Sequence, residues 1–204
     1  MFRLGLTGGI ATGKSTVSKY LKERKGLPVL DADAIAHQIM GPNQPILTDI
    51  SDTFGPEYIN DDGSLNRQKL GALVFNDDNA RQQLDDLTHP RIFSTFESRM
   101  QELERAGTSI AVLDIPLLFE NEQRLTYDAI AVVVTTEHIQ LERLMHRNGL
   151  SKTEAKARIA AQMPLDEKKA NADYVIQNNG SKTETYKQVD QMLNQIKQTI
   201  VERS

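Results

Sequence analysis

The chain has 204 residues, no cysteine and a formal net charge of −4. That length holds one α/β core with a small insertion but not two large independent domains. The missing thiols exclude disulfides, thiolate metal sites and a cysteine nucleophile, and the charge balance offers no basic face for a nucleic-acid duplex.

The first apolar run, residues 2–7, is short and closed by Gly8-Gly9, the pattern of a buried strand. Val17, Tyr20 and Leu21 share one helical face and predict a helix over 15–24, punctuated by Gly26. Residues 28–30 read as a second strand ending at Asp31, and 34–40 as a helix. From Gly41-Pro42 to about Gly107 helical periods dominate, with turns at Phe54-Gly55 and Asp61-Asp62-Gly63. Pro90 is expected at the start of a long helix, where its missing N–H is not needed. Phe93, Phe96, Met100 and Leu103 then form a core-facing stripe. Residues 110–115 and 129–134 are strands, the second rich in β-branched valine. Helices over 137–148 and 152–163 follow, then a last strand, 174–176, and the turn Asn178-Asn179-Gly180. The seam Tyr186, Val189, Leu193, Ile196 and Ile200 is too short for a coiled coil and suits a helix covering the sheet. Strands alternating with helices predict an α/β fold whose parallel sheet is flanked by helices on both faces. Residues 41–107 read as an inserted helical domain, leaving 1–40 and 108–204 as the core.

Gly8-Gly9-Ile10-Ala11-Thr12-Gly13-Lys14-Ser15 fits G-x-x-x-x-G-K-[ST] in full, after a strand and before a helix. Gly8 and Gly13 permit turns that a Cβ would obstruct, so the loop's N–H groups and the helix N-terminus can surround phosphate oxygens. Lys14 supplies a mobile charge for the β- and γ-phosphates, and the Ser15 hydroxyl suits Mg²⁺, a hard cation that prefers oxygen. The pattern points to a nucleoside triphosphate without specifying the reaction. Asp31 and Asp33 end the second strand, and in a parallel sheet strand C-termini face the crevice of the phosphate loop. One carboxylate can orient an acceptor hydroxyl and one can serve the metal; one of them can equally cap the next helix. Asp114 ends a strand of Walker B type and is a weaker metal candidate. Arg143 and Arg147, four apart on one helix, and Arg158 on the next can stabilise charge on a transferring phosphoryl group or simply line a solvated face.

Gly8-Gly9-Ile10 through Lys14-Ser15-Thr16, Asp31-Ala32-Asp33, Leu87-Thr88-His89-Pro90, Pro116-Leu117-Leu118-Phe119-Glu120 and Asn178-Asn179-Gly180 together resemble the dephospho-CoA kinase family in order and spacing. The resemblance implies transfer of the ATP γ-phosphoryl group to the ribose 3′-hydroxyl of dephospho-CoA, by a P-loop core, an inserted helical substrate domain and a lid near 147–170. It implies Asp33 as catalytic base and Lys14 beside it in catalysis. Gly8, Gly9, Ala11, Thr12, Gly13, Lys14, Ser15 and Thr16 would hold the phosphates, with Arg143, Arg147, Asn179 and Gly180 also on the nucleotide. His89, Leu118, Glu120 and Arg158 would meet the substrate, and Ser15 and Asp31 the Mg²⁺. Another P-loop nucleoside or nucleotide kinase would share this core. A GTP-binding switch is the distant alternative; Asp52-Thr53-Phe54-Gly55 fits D-x-x-G, but no Asn-Lys dipeptide exists to begin a guanine motif. No run approaches the roughly 18 apolar residues of a membrane span, and the first residues lack the length and cleavage site of a signal peptide. The expectation is a cytoplasmic enzyme with a small-molecule substrate, no nucleic-acid or membrane partner, and a monomeric or weakly homo-oligomeric state.

Overall fold

A central strand with small and apolar residues in alternation organises the chain. In the computed structural model, which describes residues 1–120 and 125–203, this is β1 (Phe2–Gly8). The elements that follow are α1 (Lys14–Glu23), β2 (Val29–Asp31), α2 (Ala32–Ile39), α3 (Ile46–Phe54), a 3₁₀ turn (Pro56–Tyr58), α4 (Arg67–Asn76) and α5 (Asp78–Arg105). After these come β3 (Ile110–Asp114), β4 (Ala129–Val134), α6 (Glu137–Asn148), α7 (Lys152–Ala160), α8 (Leu165–Ala170), β5 (Tyr174–Gln177) and α9 (Lys182–Glu202). The sheet order is β2-β3-β1-β4-β5. β1 pairs in parallel with β3 and β4, so that Leu4 sits beside Val112 on one side and Ala129 on the other, and β4 pairs in parallel with β5.

The chain forms two compact units, residues 1–30 with 103–204, and residues 31–102. In the first, Phe2, Leu4 and Leu6 share a face with Val112, Ala131 and Val133, packed against Val17 and Leu21 of α1 and Val189, Leu193 and Ile196 of α9. Each fully buried aliphatic side chain there contributes about 1.5–3 kcal/mol. The expected C-terminal seam therefore does cover the sheet. Tyr20 of α1 stacks on Tyr186 of α9, 3.9 Å between centroids, and its hydroxyl donates to Asp190 at 3.1 Å. On the opposite face Gly5 leaves room for its neighbours: a Cβ would stand 3.0 Å from the Tyr127 ring and 3.1 Å from Leu118 Cδ1.

Burial pushes the Tyr127 phenol up to about 12, because a phenolate there would lose its hydration. An unfolded tyrosine ionises near 10. The stabilisation from the neutral ring is thus complete below about pH 10 and is lost as the pH rises through 12. Tyr127→Phe should flatten the alkaline arm of a thermal-midpoint-versus-pH curve between those values. An unchanged arm would show that other groups set it.

The second unit has its own core of Ile46, Leu47, Ile50, Leu65 and Leu70, flanked by Ile39, Phe54, Leu84 and Leu87. The expected helical character holds, but Pro90 lies inside α5 rather than at its start. An interior proline removes one helix bond and crowds the preceding turn. The helix runs through it with nearby carbonyls occupied by side-chain donors: Thr88 Oγ1 donates to Leu84 O at 2.8 Å, and Arg91 to Leu87 O at 2.9 Å. Phe96 and Met100 are buried as the stripe requires.

The helix expected over 152–163 stops at Ala160, and α8 follows it. Pro164 disfavours helical backbone at the residue before it, which separates the two. Gly149, at φ 63°, closes α6 in the left-handed conformation. No helix among the described residues is long and apolar enough to cross a membrane.

Candidate nucleotide site

The glycine loop leaves the C-terminal end of β1, the centre of the sheet, and enters α1 at Lys14. Its shape depends on missing side chains. Gly13 has φ 92°, and a Cβ on it would collide with the Asn178 carboxamide. A Cβ on Gly8 would stand 2.7 Å from Val133 O. Ala11 also adopts a left-handed φ, 58°, one that an L-residue takes only at a cost. Thr12, fully buried, donates its hydroxyl to Gly9 O at 2.8 Å and closes the turn from within. These close approaches let the loop pack against β4 and Asn178 where side chains on Gly8 and Gly13 would not fit. Lys14 pairs with Asp114, which is 2% exposed at the end of β3. Asp114 is thus the carboxylate partner of the loop lysine. Ser15 and Thr16 open α1, with the Ser15 side exposed.

The peptide between Thr12 and Gly13 is fixed from outside the loop. Its carbonyl accepts from Asn178 Nδ2 at 2.9 Å and Arg143 NH1 at 3.4 Å. Arg143 also donates to Asn178 O at 3.1 Å, and the Asn178 Oδ1 accepts from Thr185 of α9 at 2.9 Å. With its carbonyl held this way, the peptide presents the Gly13 N–H on the other side. Arg143 is therefore brought to the phosphate loop. Arg147 instead donates to Asn148 Oδ1 at 2.8 Å, and Arg158 lies exposed on α7. Asn179 accepts from the Thr135 hydroxyl and the Thr136 N–H at 2.9 and 3.0 Å, tying the β5–α9 turn to the end of β4. A Cβ on Gly180 would stand 2.3 Å from the Glu184 carboxylate, which would have to shift, and that carboxylate completes a capping box with Ser181. Hydrogen bonds from Ser181 hold the Glu184 carboxyl below its ordinary range.

A cavity of about 320 Å³ opens beside the loop, between Gly9, Thr136, Glu137 and Gln140 on one side and Gln162, Met163 and Leu165 on the other. Gln140 donates to Ile10 O at 2.8 Å, and Ile10 N–H donates to Gln162 at 2.7 Å. Glu120 does not point alone into a substrate space: it accepts from Met163 N–H at 3.1 Å and lies 2.6 Å from the Lys168 ammonium. Leu118 is 3% exposed and packs beneath β1.

In the second unit Asp31 is the N-cap of α2, accepting from the Ala34 N–H at 3.1 Å. Asp33 is exposed in the first turn of that helix. His89 lies on α5, half-buried, 3.6 Å from Asp85 and edge-on to Phe93. The D-x-x-G match, Asp52 to Gly55, ends α3 rather than leaving a buried strand. The residues that sequence reasoning did not single out are Asn178 as a brace, Gln140, Gln162, Thr185 and Lys168. Asn178, Gln140, Gln162 and Lys168 take their roles from partners far along the chain, and Thr185 takes its role from Asn178, seven positions before it.

The family model described as dephospho-CoA kinase matches residues 2–184. A dephospho-CoA kinase of Shouchella clausii is 48% identical over 187 residues, covering 92% of this chain and 94% of that protein. Among solved structures, TT1252 from Thermus thermophilus superposes with TM-score 0.79 at 34% identity, covering 95% of this chain and 97% of the other. The dephospho-CoA kinase from Campylobacter jejuni gives TM-score 0.66 at 28% identity, covering 95% and 96%. The family model over residues 2–184 and a relative 48% identical along 92% of the chain mean that this chain belongs to the dephospho-CoA kinase family.

Proposed function

We propose that this chain transfers the γ-phosphoryl group of ATP to the ribose 3′-hydroxyl of dephospho-CoA, yielding coenzyme A and ADP. The observation that carries this is the family match through residues 2–184, which takes in the phosphate loop, Asp33 and the Pro116–Glu120 run. The Asp33 carboxylate accepts the proton of the attacking hydroxyl. The new bond joins that oxygen to the γ-phosphorus, and the bond from the γ-phosphorus to the bridging oxygen breaks as ADP leaves. Lys14 and Arg143 hold the charge that spreads over the γ-phosphate oxygens, and Asn179 and Gly180 border the nucleotide base.

A Mg²⁺ ion would neutralise phosphate charge when bound. The Ser15 hydroxyl and Asp31, whose second carboxylate oxygen is not the one capping α2, offer the hard oxygen ligands it prefers. Among the described residues no group of three or more acidic or imidazole side chains forms a cage, and a cation that arrives on nucleotide phosphates needs none. The second unit, with His89, binds the pantetheine-bearing substrate, and 147–170 acts as the lid with Arg147 and Arg158. The enzyme works in the cytoplasm on a small molecule, as a monomer or weak homo-oligomer.

A coupled ADP-release assay with Mg-ATP, comparing dephospho-CoA with adenosine, uridine, AMP and CMP, tests the reading. Release with dephospho-CoA alone is expected. Release with a nucleoside or nucleotide, and none with dephospho-CoA, would reassign the substrate.

A further inference from the structure

Lys168 of α8 is fully buried, an unusual place for an ammonium group. Its Nζ is 2.6 Å from Glu120 Oε1, yet it makes no well-aligned hydrogen bond to any acceptor among the described residues. A buried cation with poorly directed donors disfavours the folded state, and replacing such a pair as a whole with apolar side chains of similar size is often as stable or more so. Fold stability alone therefore gives no reason for a lysine here.

The surroundings supply one. The same Glu120 oxygen accepts from the Met163 N–H. Gln162, next along the chain, accepts from the Ile10 N–H of the phosphate loop at 2.7 Å. Leu165 presses on the loop at Gly9, where a Cβ would stand 2.8 Å from its Cδ2. Residues 162–168 are thus gripped twice, by Glu120 through Met163 and Lys168, and by the phosphate loop through Gln162 and Leu165. The same segment walls the cavity beside Gly9.

We propose that the Lys168–Glu120 pair is a positioning latch that holds residues 162–168 in register with the first turn of the phosphate loop, and so sets nucleotide affinity. Glu120 then acts through this segment instead of touching the acceptor. Because its kinetic arm rests on the phosphotransfer reading above, the test also measures nucleotide binding alone.

The experiment compares Lys168→Met, Glu120→Gln and the double variant, by thermal midpoint, by titration with a fluorescent ATP analogue, and by KM and kcat for each substrate. Lys168→Met should weaken nucleotide binding and raise the ATP KM roughly tenfold, with kcat changing far less, and should lower the thermal midpoint only modestly, because the Glu120 carboxylate it leaves unpaired is 20% exposed. Glu120→Gln should weaken nucleotide binding similarly but lower the midpoint more, since it strands the fully buried ammonium. The double variant should bind nucleotide no worse than Lys168→Met. Unchanged nucleotide affinity in Lys168→Met, additive losses in the double variant, or a Glu120→Gln effect confined to the acceptor KM would each overturn the latch. Failure of the wild-type chain to phosphorylate dephospho-CoA would instead strike the substrate assignment, with the binding titration still deciding the latch.

Discussion

Asp33→Asn should lower turnover by roughly 10²–10⁴-fold while leaving ATP affinity nearly unchanged. The substitution keeps the side-chain shape and removes the proton acceptor. The fold should tolerate it, because Asp31, not Asp33, caps α2 through the Ala34 N–H. A carboxylate in a first helical turn is worth about 0.3–1 kcal/mol against the helix dipole when exposed. Steady-state turnover and calorimetric titration with ATP separate the two effects. Near-normal turnover would remove Asp33 from the role of base; a large loss of ATP affinity would make it a nucleotide ligand.

Lys14→Ala should act on stability and catalysis together. Lys14 carries the loop's mobile charge, and removing such a transition-state contact costs about 10²–10³-fold in rate. It also neutralises Asp114, whose side chain is 3% exposed. Breaking a buried pair by deleting one partner costs about 3–5 kcal/mol, so the thermal midpoint should fall clearly. Adding Asp114→Asn should restore much of the midpoint, since an amide tolerates burial better than an unpaired carboxylate, but not the rate. A Lys14→Ala enzyme with an unchanged rate would contradict the phosphate-cradle account. Recovery of the rate in the double variant would show that the lysine served the fold rather than the phosphates.

The sequence revealed what short-range chemistry dictates. The phosphate loop was legible because its glycines, lysine and serine must lie at fixed offsets. Helix α6 was legible to the residue because Thr136 caps its start and Gly149 takes the left-handed turn at its end. The brace on Thr12 was not legible, because Asn178 lies 166 positions away in the chain, and nothing local distinguishes a bracing asparagine from a turn asparagine. Pro90 misled because a proline rule reads the residue in isolation, while α5 runs through it from Asp78 to Arg105. Nothing in the charged run Asp166-Glu167-Lys168-Lys169 marks Lys168 as interior, and only the fold buries it beside Glu120. The Glu120 carboxylate, expected at the substrate through family resemblance, is engaged by that lysine and by the Met163 backbone.

The central claim is where the phosphate goes. Incubating the chain with Mg-ATP and dephospho-CoA and following the product by ³¹P NMR measures that directly. One new phosphomonoester resonance coupled to the ribose 3′ proton should appear in step with ADP. A phosphate on another hydroxyl, or ADP formed with only inorganic phosphate, would contradict it.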